Sequence, residues 1–127
     1  MVEFHGWATV RSRDCGPLSL EDMEALTRML PLGNMGSGVL DCRAINGEFF
    51  LWCAGMPNHR GSEFDAVERL FRQLATAYPG SYGMLYFRDD EDPRSANQFR
   101  VLRLLRGLLL EVADTLLSPC VPTIEDE

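Results

Sequence analysis

Asn46 and Gly47 constrain the fold of this chain more than any other pair of neighbours in its sequence. They stand between "VLDCRAI" and "EFFLWCAG", two runs rich in apolar and aromatic side chains. Asn-Gly is the strongest short signal for a two-residue hairpin, because both central residues of a type I′ turn adopt positive φ. The sequence therefore predicts two antiparallel strands in which Ile45 faces Glu48, Ala44 faces Phe49, Cys42 faces Leu51, and Leu40 faces Cys53.

This register divides the side chains of the hairpin between two faces. One face is wholly apolar and comprises Leu40, Cys42, Ala44, Phe49, Leu51 and Cys53. The other is mixed and comprises Asp41, Arg43, Ile45, Glu48, Phe50 and Trp52. The segment "VEFHGWATV" alternates in the same way and predicts another strand, whose small apolar face comprises Val2, Phe4, Gly6, Ala8 and Val10.

Two segments instead have helical periodicity. In the first, Ser19 is the expected N-cap with Asp22 three residues on, and the apolar stripe comprises Leu20, Met23, Leu26 and Leu30. In the second, Ser62 and Asp65 repeat the capping pattern, and the stripe comprises Phe64, Val67, Phe71, Leu74 and Tyr78. Pro31 is expected to end the first helix and Pro79 the second, and the composition of "PLGNMGSG" predicts a loop.

The order of these elements predicts an α+β fold. With "YGMLYFRD" as a further strand, the chain reads βαββαβ, a pattern typical of two helices packed on one face of an antiparallel sheet. The segment from 97 to 113 is compatible with a helix or with a hairpin turning at Arg106 and Gly107. We favour the hairpin, because glycine inside a helix costs about 1 kcal/mol relative to alanine. At 127 residues the chain is expected to form one domain, residues 1–127, with a C-terminal tail that runs extended over its surface.

Composition restricts the partners that this chain can have. The net charge is −7, and all 12 basic residues are arginine. This balance disfavours nucleic acid or an anionic membrane as the main partner and favours a basic protein. We expect a cytoplasmic protein, since the sequence has neither a signal-like start nor an apolar run long enough to span a membrane. The four widely spaced cysteines, which lack a zinc-site pattern, are expected to be reduced and mostly buried.

The mixed face of the predicted sheet is the first candidate site. His5, Asp41 and Arg43 would lie on this face, between six large apolar or aromatic side chains. The six are Trp7, Phe50, Trp52, Tyr82, Met84 and Tyr86. Soluble monomers seldom leave such a patch uncovered. Either the C-terminal hairpin and tail cover it, or it is a binding surface with aromatic residues at the centre and charges at the rim.

The second candidate is the run of acids in "LYFRDDEDP", from Asp89 to Asp92. Four carboxylates are compatible with a solvated turn, with a surface for a basic partner, or with a Mg²⁺ site. The spacing does not match a calcium-binding loop, and the sequence has no nucleophile elbow and no phosphate-binding loop. We therefore expect no catalytic residue, no metal and no cofactor. The alternatives are a small metal-dependent enzyme that uses these acids and a homodimer that buries the aromatic face.

Several stretches resemble the immunity protein 7 family of bacterial polymorphic toxin systems. They are "EFHGWATV", "GSYGMLYFRDDEDP", "NQFRVLRLLRG" and "LSPCVPTIED". The resemblance carries over to His5, Gly6, Trp7, Tyr86, Arg88, Asp89, Asp90, Glu91, Asp92, Ser118, Pro119 and Cys120. It implies a small α+β protein, encoded beside a toxin gene, that protects the producing cell by binding the toxin domain.

The resemblance and the charge together suggest how such a protein would act. The expected mechanism is stoichiometric inhibition of a basic toxin, and the charge favours a nuclease as the class of toxin. The segment from Asp14 to Gly38 matches no family stretch, so partner specificity could lie there. The candidate toxin-binding residues are Trp7, Asp41, Arg43, Phe50, Trp52, Tyr82, Tyr86, Arg88, Asp89, Asp90, Glu91 and Asp92.

Overall fold

The computed structural model describes residues 1–30, 33–35 and 38–119. Within these residues, two helices and seven strands follow one another. In order they are β1 (Val2–Val10), α1 (Leu20–Met29), β2 (Gly33–Met35), β3 (Gly38–Ile45), β4 (Glu48–Gly55), α2 (Ser62–Ala77), β5 (Tyr82–Asp89), β6 (Arg100–Leu105) and β7 (Leu108–Ala113). All seven strands join one sheet in the order β2-β3-β4-β1-β5-β6-β7, and every neighbouring pair is antiparallel. The predicted α+β class is confirmed.

The hairpin between β3 and β4 has the predicted turn and register. Asn46 and Gly47 have φ values of 51° and 84°, as a type I′ turn requires. The pairing also follows the prediction, with Ile45 opposite Glu48, Ala44 opposite Phe49, Cys42 opposite Leu51, and Leu40 opposite Cys53. Because side chains alternate across a strand, this one turn decides which residues of both strands face the helices.

Both helices pack on the same face of the sheet. Helix α2 lies over β1, β6 and β7. Helix α1 lies over the β3–β4 hairpin, where Thr27 Oγ1 is 3.9 Å from Cys42 Sγ. The core between the helices and the sheet is continuous, and its largest fully buried side chains include Phe4, Phe64, Phe71, Phe87, Leu26, Leu40, Leu51, Leu74 and Leu85.

The segment from 97 to 113 forms the favoured hairpin, not a helix. Arg106 and Gly107 have φ values of 52° and 75°, and β6 pairs with β7 from Leu105–Leu108 outwards. The hairpin continues the sheet beyond β5. The suggestion that it covers the mixed face is therefore wrong, since it extends that face sideways. The proposed cover by the tail concerns mainly residues 120–127, which lie outside the described residues.

The predicted N-cap is confirmed for α1 and wrong for α2. Ser19 caps α1 as predicted, and its Oγ accepts a hydrogen bond from the Asp22 amide at 3.1 Å. Ser62 is not a cap, because α2 begins one residue earlier than the capping pattern suggests. Its N-cap is Gly61, whose carbonyl accepts from the Asp65 amide at 3.0 Å.

Leu20 was wrongly assigned to the buried stripe of α1. It is 77% exposed, whereas Met23, Leu26 and Leu30 are buried. Leu20 and Ala44 both line an open groove between α1 and the β3–β4 hairpin. Ala44, which was assigned to the apolar face of the hairpin, is also exposed. Helical periodicity does not reveal how closely a helix packs on the strands beneath it. Leu18, outside the predicted stripe, is buried in place of Leu20.

The loop prediction for "PLGNMGSG" is partly wrong, because Gly33–Met35 forms β2. This short strand pairs with β3, with Gly33 opposite Leu40. Its glycine-rich composition resembles that of a loop, and only the neighbouring strand provides its hydrogen bonds. Pro31 lies outside the described residues, although α1 ends where expected, with Leu30 as its C-cap.

The three described cysteines are free thiols in different environments. Cys53 is buried, and burial raises its pKa to about 12, so it is an unreactive core residue. Cys42 is partly buried. The expectation of burial is wrong for Cys15, which is exposed in a turn with a φ of 64°. Cys120 lies outside the described residues.

Neither described helix is both long and apolar enough to cross a membrane.

The Ser19 cap gives a prediction about stability. We expect Ser19→Ala to lower the free energy of unfolding by about 1 kcal/mol, because one amide of the first turn of α1 loses its acceptor. Urea denaturation would measure the change. Ser62→Ala is the matched control and should have a much smaller effect, since Ser62 provides no cap. Equal losses in the two variants would contradict the assigned caps.

Candidate functional site

The side of the sheet opposite the helices, here called the open face, carries the candidate aromatic residues. Successive cross-strand partners form one row across it, from β3 to β7: Asp41, Trp52, Trp7, Met84, Arg103 and Leu110. A neighbouring row comprises Val39, Ala54, His5, Tyr86, Val101 and Val112. The residues that sequence analysis assigned to the mixed face of β1, β3, β4 and β5 therefore do share one face.

The centre of the open face is aromatic and exposed. Trp7 and Trp52 are directly opposite each other on β1 and β4, and they are 39% and 41% exposed. The Tyr82 ring meets Trp7 edge-on at 6.2 Å, and the Phe50 ring lies 6.0 Å from Trp52. These contacts hold large rings in fixed positions while leaving part of their surface in water.

A groove of about 270 Å³ runs between these rings. Trp7, Thr9, Ile45, Phe50 and Trp52 line it, together with backbone of β1 and β4. Its lining is predominantly apolar, so it fits an apolar or aromatic side chain better than a charged one.

Charged and polar side chains surround the aromatic centre. Asp41 and Arg43 lie on β3 at one side, and their side chains are 3.9 Å apart. Arg103 lies on β6 at the other side and is exposed. At a third margin, His5 Nε2 is 2.5 Å from Glu3 Oε2.

Arg103 was missed as a candidate residue. Its position on the open face depends on β6 being a strand, and the sequence left that segment open between a helix and a hairpin. The turn expected at Arg106 and Gly107 was the signal that could have placed it there, since a two-residue turn pairs Arg103 with Leu110.

The acidic turn, Asp89–Asp92, continues from the end of β5, and its four carboxylates are not equivalent. Asp89 belongs to the face that carries Val2 and Phe87, and it is only 9% exposed. Its Oδ1 accepts a hydrogen bond from the Glu91 amide at 3.0 Å. Asp89 therefore stabilises the turn from inside and presents little surface to a partner.

Asp90 and Glu91 are the accessible acids of this turn. Asp90 Oδ1 is 2.8 Å from the amino group of Met1, and this hydrogen bond lowers the pKa of Asp90. Glu91 Oε1 is 2.7 Å from His59 Nδ1, and this contact lowers the pKa of Glu91. Both side chains remain about half exposed, so a partner could still reach them.

Asp92 connects the acidic turn to the sheet. Its Oδ1 accepts from the Arg94 amide and its Oδ2 from the Ser95 hydroxyl, both at 3.0 Å. The guanidinium of Arg100 lies 3.9 Å from Asp92 and 2.6 Å from Glu111 on β7.

Two arginines brace the same end of the sheet. Arg100 stacks over the Phe87 ring at 4.8 Å. Arg88, the remaining candidate from this stretch, is half-buried and donates to the carbonyl of Ala96 at 2.9 Å. Arg88 therefore holds the loop that leads into β6.

The acids of this turn are thus bound to donors of their own chain. Within residues 1–30, 33–35 and 38–119, no three side chains of His, Cys, Asp or Glu are arranged so that they could hold a metal ion. What this arrangement supports is the positioning of negative charge at the end of β5.

The comparisons with known proteins support a family assignment. The family model described as Immunity protein 7 matches residues 1–126, which is nearly the whole chain. Neither the search of curated proteins nor the search of solved structures found a match.

The acidic turn gives a prediction about pH. Hydrogen bonds from the Arg94 amide and the Ser95 hydroxyl hold the pKa of Asp92 below its ordinary value of 3.8. Such a group stabilises the fold above its unfolded pKa, and its contribution is lost as the pH falls through the folded pKa. The urea midpoint of unfolding should therefore decrease as the pH is lowered from neutral to below 3.8. Asp92→Asn, which cannot ionise, should reduce that decrease.

Glu24→Gln is the control, since it removes an exposed carboxylate from the middle of α1. It should change the acid dependence less than Asp92→Asn does. An equal change in both variants would show that total charge, rather than the turn, governs the acid sensitivity.

Proposed function

This chain belongs to the immunity protein 7 family, and from that premise we propose that it neutralises a toxin domain by binding it stoichiometrically through the open face of its sheet. As an immunity protein it acts as an inhibitor and not as a catalyst. The toxin is proposed to be the product of an adjacent gene, and the complex is proposed to form in the cytoplasm of the producing cell.

The observation that carries this proposal is the exposed aromatic centre of the open face. Trp7, Trp52 and Tyr82 are each more than a third exposed, although the opposite side of the same sheet is tightly packed. Tryptophan and tyrosine are the residue types most enriched among those that dominate binding energy at protein interfaces. They lie on strands and in contact with other rings, so little conformational freedom is left to lose on binding.

The distribution of charge around this centre supports the same proposal. Protein interfaces typically have an apolar core and a polar, solvent-accessible rim. Here Asp41 and Arg43 lie on one side of the rings, Arg103 on the other, and Glu3 with His5 at a margin. This rim contains both positive and negative side chains. It would therefore fix the orientation of a bound partner rather than select a partner by its net charge.

The net charge of −7 supports a basic toxin as the partner. Asp90 and Glu91 extend this negative charge to the end of β5, beside the open face. A basic toxin domain would be attracted over distances of about 10 Å at moderate salt. Enzymes that act on nucleic acid are basic around their sites, so we propose a nuclease or another nucleic-acid-acting enzyme as the toxin.

Rescue of a toxin-sensitive host tests the function. The C-terminal domain encoded by the upstream gene would be expressed with and without this chain, and survival would be scored. We expect toxicity that co-expression abolishes. A toxic domain that this chain fails to neutralise would contradict the proposed pairing with the adjacent gene.

Substitution of Trp52 tests the surface. Trp52→Ala should weaken the purified complex about 30-fold, since truncation of a central aromatic anchor costs about 2 kcal/mol. Leu20→Ala on α1 is the control, because Leu20 is more exposed than Trp52 but lies on the helix side of the sheet. Titration calorimetry would measure both. If Leu20→Ala weakens binding and Trp52→Ala does not, the open face is not the interface and the contact lies at α1.

Salt dependence tests the proposed electrostatic attraction. The association rate should fall about tenfold from low to high ionic strength, because salt screens long-range attraction between a basic toxin and an acidic inhibitor. The dissociation rate should change less, since desolvated aromatic contacts govern it. Stopped-flow fluorescence would give both rates, and a salt-insensitive association rate would contradict the role assigned to charge.

A further inference from the structure

Strand β7 is the last strand of the sheet on one side, and no other described segment pairs with its outer edge. In the part of the chain that the structure describes, β6 is the only strand hydrogen-bonded to β7. Leu108 and Leu110 of this strand are 55% and 45% exposed. The turn that follows adds Leu116 and Leu117, which are also exposed, so four exposed leucines lie on or just after one edge strand.

The turn between β6 and β7 determines which residues of β7 direct their backbone groups to β6 and which direct them outward. Leu105 and Leu108 flank a two-residue turn and form its closing hydrogen-bonded pair. Hydrogen-bonded and non-hydrogen-bonded pairs alternate in an antiparallel ladder. Leu108, Leu110 and Val112 therefore direct their backbone groups to β6. The N–H and C=O groups of Leu109, Glu111 and Ala113 point outward from the edge.

Within the described residues, β7 lacks most of the features that usually prevent pairing at an edge; the exception is the charge of Glu111, which Arg100 of the same chain binds. Natural edge strands are protected by lysine, by proline, by bulges or by very short length. The chain contains no lysine, and β7 has six residues without proline. Its register with β6 is continuous over six pairs, so no bulge twists the edge away.

The edge is complementary to itself. In an antiparallel pair of two β7 strands centred on Leu110, each Leu108 faces Val112 of the other copy and the two Leu110 side chains meet. Every side chain on the open-face side of the joint is then apolar. On the helix side, each Glu111 faces Leu109 of the other copy, so the outward backbone groups of these residues form hydrogen-bonded pairs.

The only charged side chain of β7 does not oppose this pairing. Glu111 is bound by Arg100 of its own chain at 2.6 Å. In the register centred on Leu110 the two Glu111 residues are not opposite each other, whereas a shift centred on Glu111 would place like charges face to face. Charge therefore favours one register over its neighbour.

From these observations we infer that β7 pairs with β7 of a second copy of this chain, in the register centred on Leu110. The two sheets become one continuous sheet of fourteen strands, with both open faces on the same side. Trp7 and Trp52 lie several strands away from the joint and stay accessible. This dimer does not rest on the proposed toxin binding, and it differs from one that buries the aromatic face.

Disulfide cross-linking tests the register. Leu110→Cys, in a Cys15→Ser background that removes the one exposed thiol among the described residues, should give a covalent dimer under mild oxidation. The two Cα atoms at this non-hydrogen-bonded pair would be about 4.5 Å apart, which is within disulfide reach. Leu108→Cys is the matched control, because the two copies of that position would be about 14 Å apart. The Cys15→Ser protein itself provides the background level.

Mass measurement across a dilution series tests the dimer without a cross-link. The unmodified chain should be a dimer that Leu110→Arg converts to a monomer, because two like charges would meet at the centre of the joint. Leu20→Arg should leave the mass unchanged. A wild-type chain that is monomeric at every concentration overturns the inference. So does equal cross-linking at positions 108 and 110, or a dimer that Trp52→Arg dissociates and Leu110→Arg does not.

Two further outcomes would assign the edge elsewhere and also overturn the inference. If the chain dimerises only after residues 120–127 are removed, the edge belongs to its own tail. If Leu110→Arg leaves a monomer unchanged but weakens binding of the toxin domain, the edge belongs to the toxin.

Discussion

The close contact between Gly6 and Phe71 fixes the arrangement on which the rest of the structure depends. Gly6 lies at the middle of β1, the central strand, and a Cβ there would come within 2.7 Å of Cys53 Sγ and 3.0 Å of the Phe71 ring. The missing side chain lets α2 approach the centre of the sheet, where Phe71 is fully buried. Because side chains alternate along a strand, the helix that packs over Gly6 leaves Trp7 on the opposite side, which neither described helix covers.

The open face and the acidic turn are connected through one strand. Strand β5 contributes Tyr82 and Tyr86 to the aromatic surface and ends in the acidic turn. Within that turn, Asp89 and Asp92 are occupied in holding the backbone, and Arg100 connects Asp92 to β7. Asp90 and Glu91 retain exposed carboxylates at the end of β5. The four acids therefore have different roles: Asp89 and Asp92 stabilise the turn, whereas Asp90 and Glu91 remain accessible to a partner.

Features governed by a few neighbouring residues could be predicted from the sequence. Positive φ at Asn46 and Gly47 sets the register of a whole hairpin, and the Ser19 hydroxyl caps a helix that starts at the next residue. The predictions failed where a distant part of the chain decides. Leu20 has the right period for the core, but it lines an open groove between α1 and the β3–β4 hairpin and stays exposed. Gly33–Met35 has the composition of a loop, but it forms a strand because β3 provides its hydrogen bonds. Ser62 has the sequence pattern of an N-cap, but Gly61 occupies that position.

The sequence by itself determined which side chains share a face, because alternation along strands and the two turns at Asn46 and Arg106 are properties of the local backbone. It also determined the composition of the candidate site on β1, β3, β4 and β5. Only the tertiary structure decided that this face stays uncovered by the β6–β7 hairpin and that Asp90, Glu91 and Asp92 are bound to donors elsewhere in the chain. These outcomes depend on contacts between residues far apart in the chain, such as Arg100 with Phe87 and Met1 with Asp90, and no local pattern encodes them.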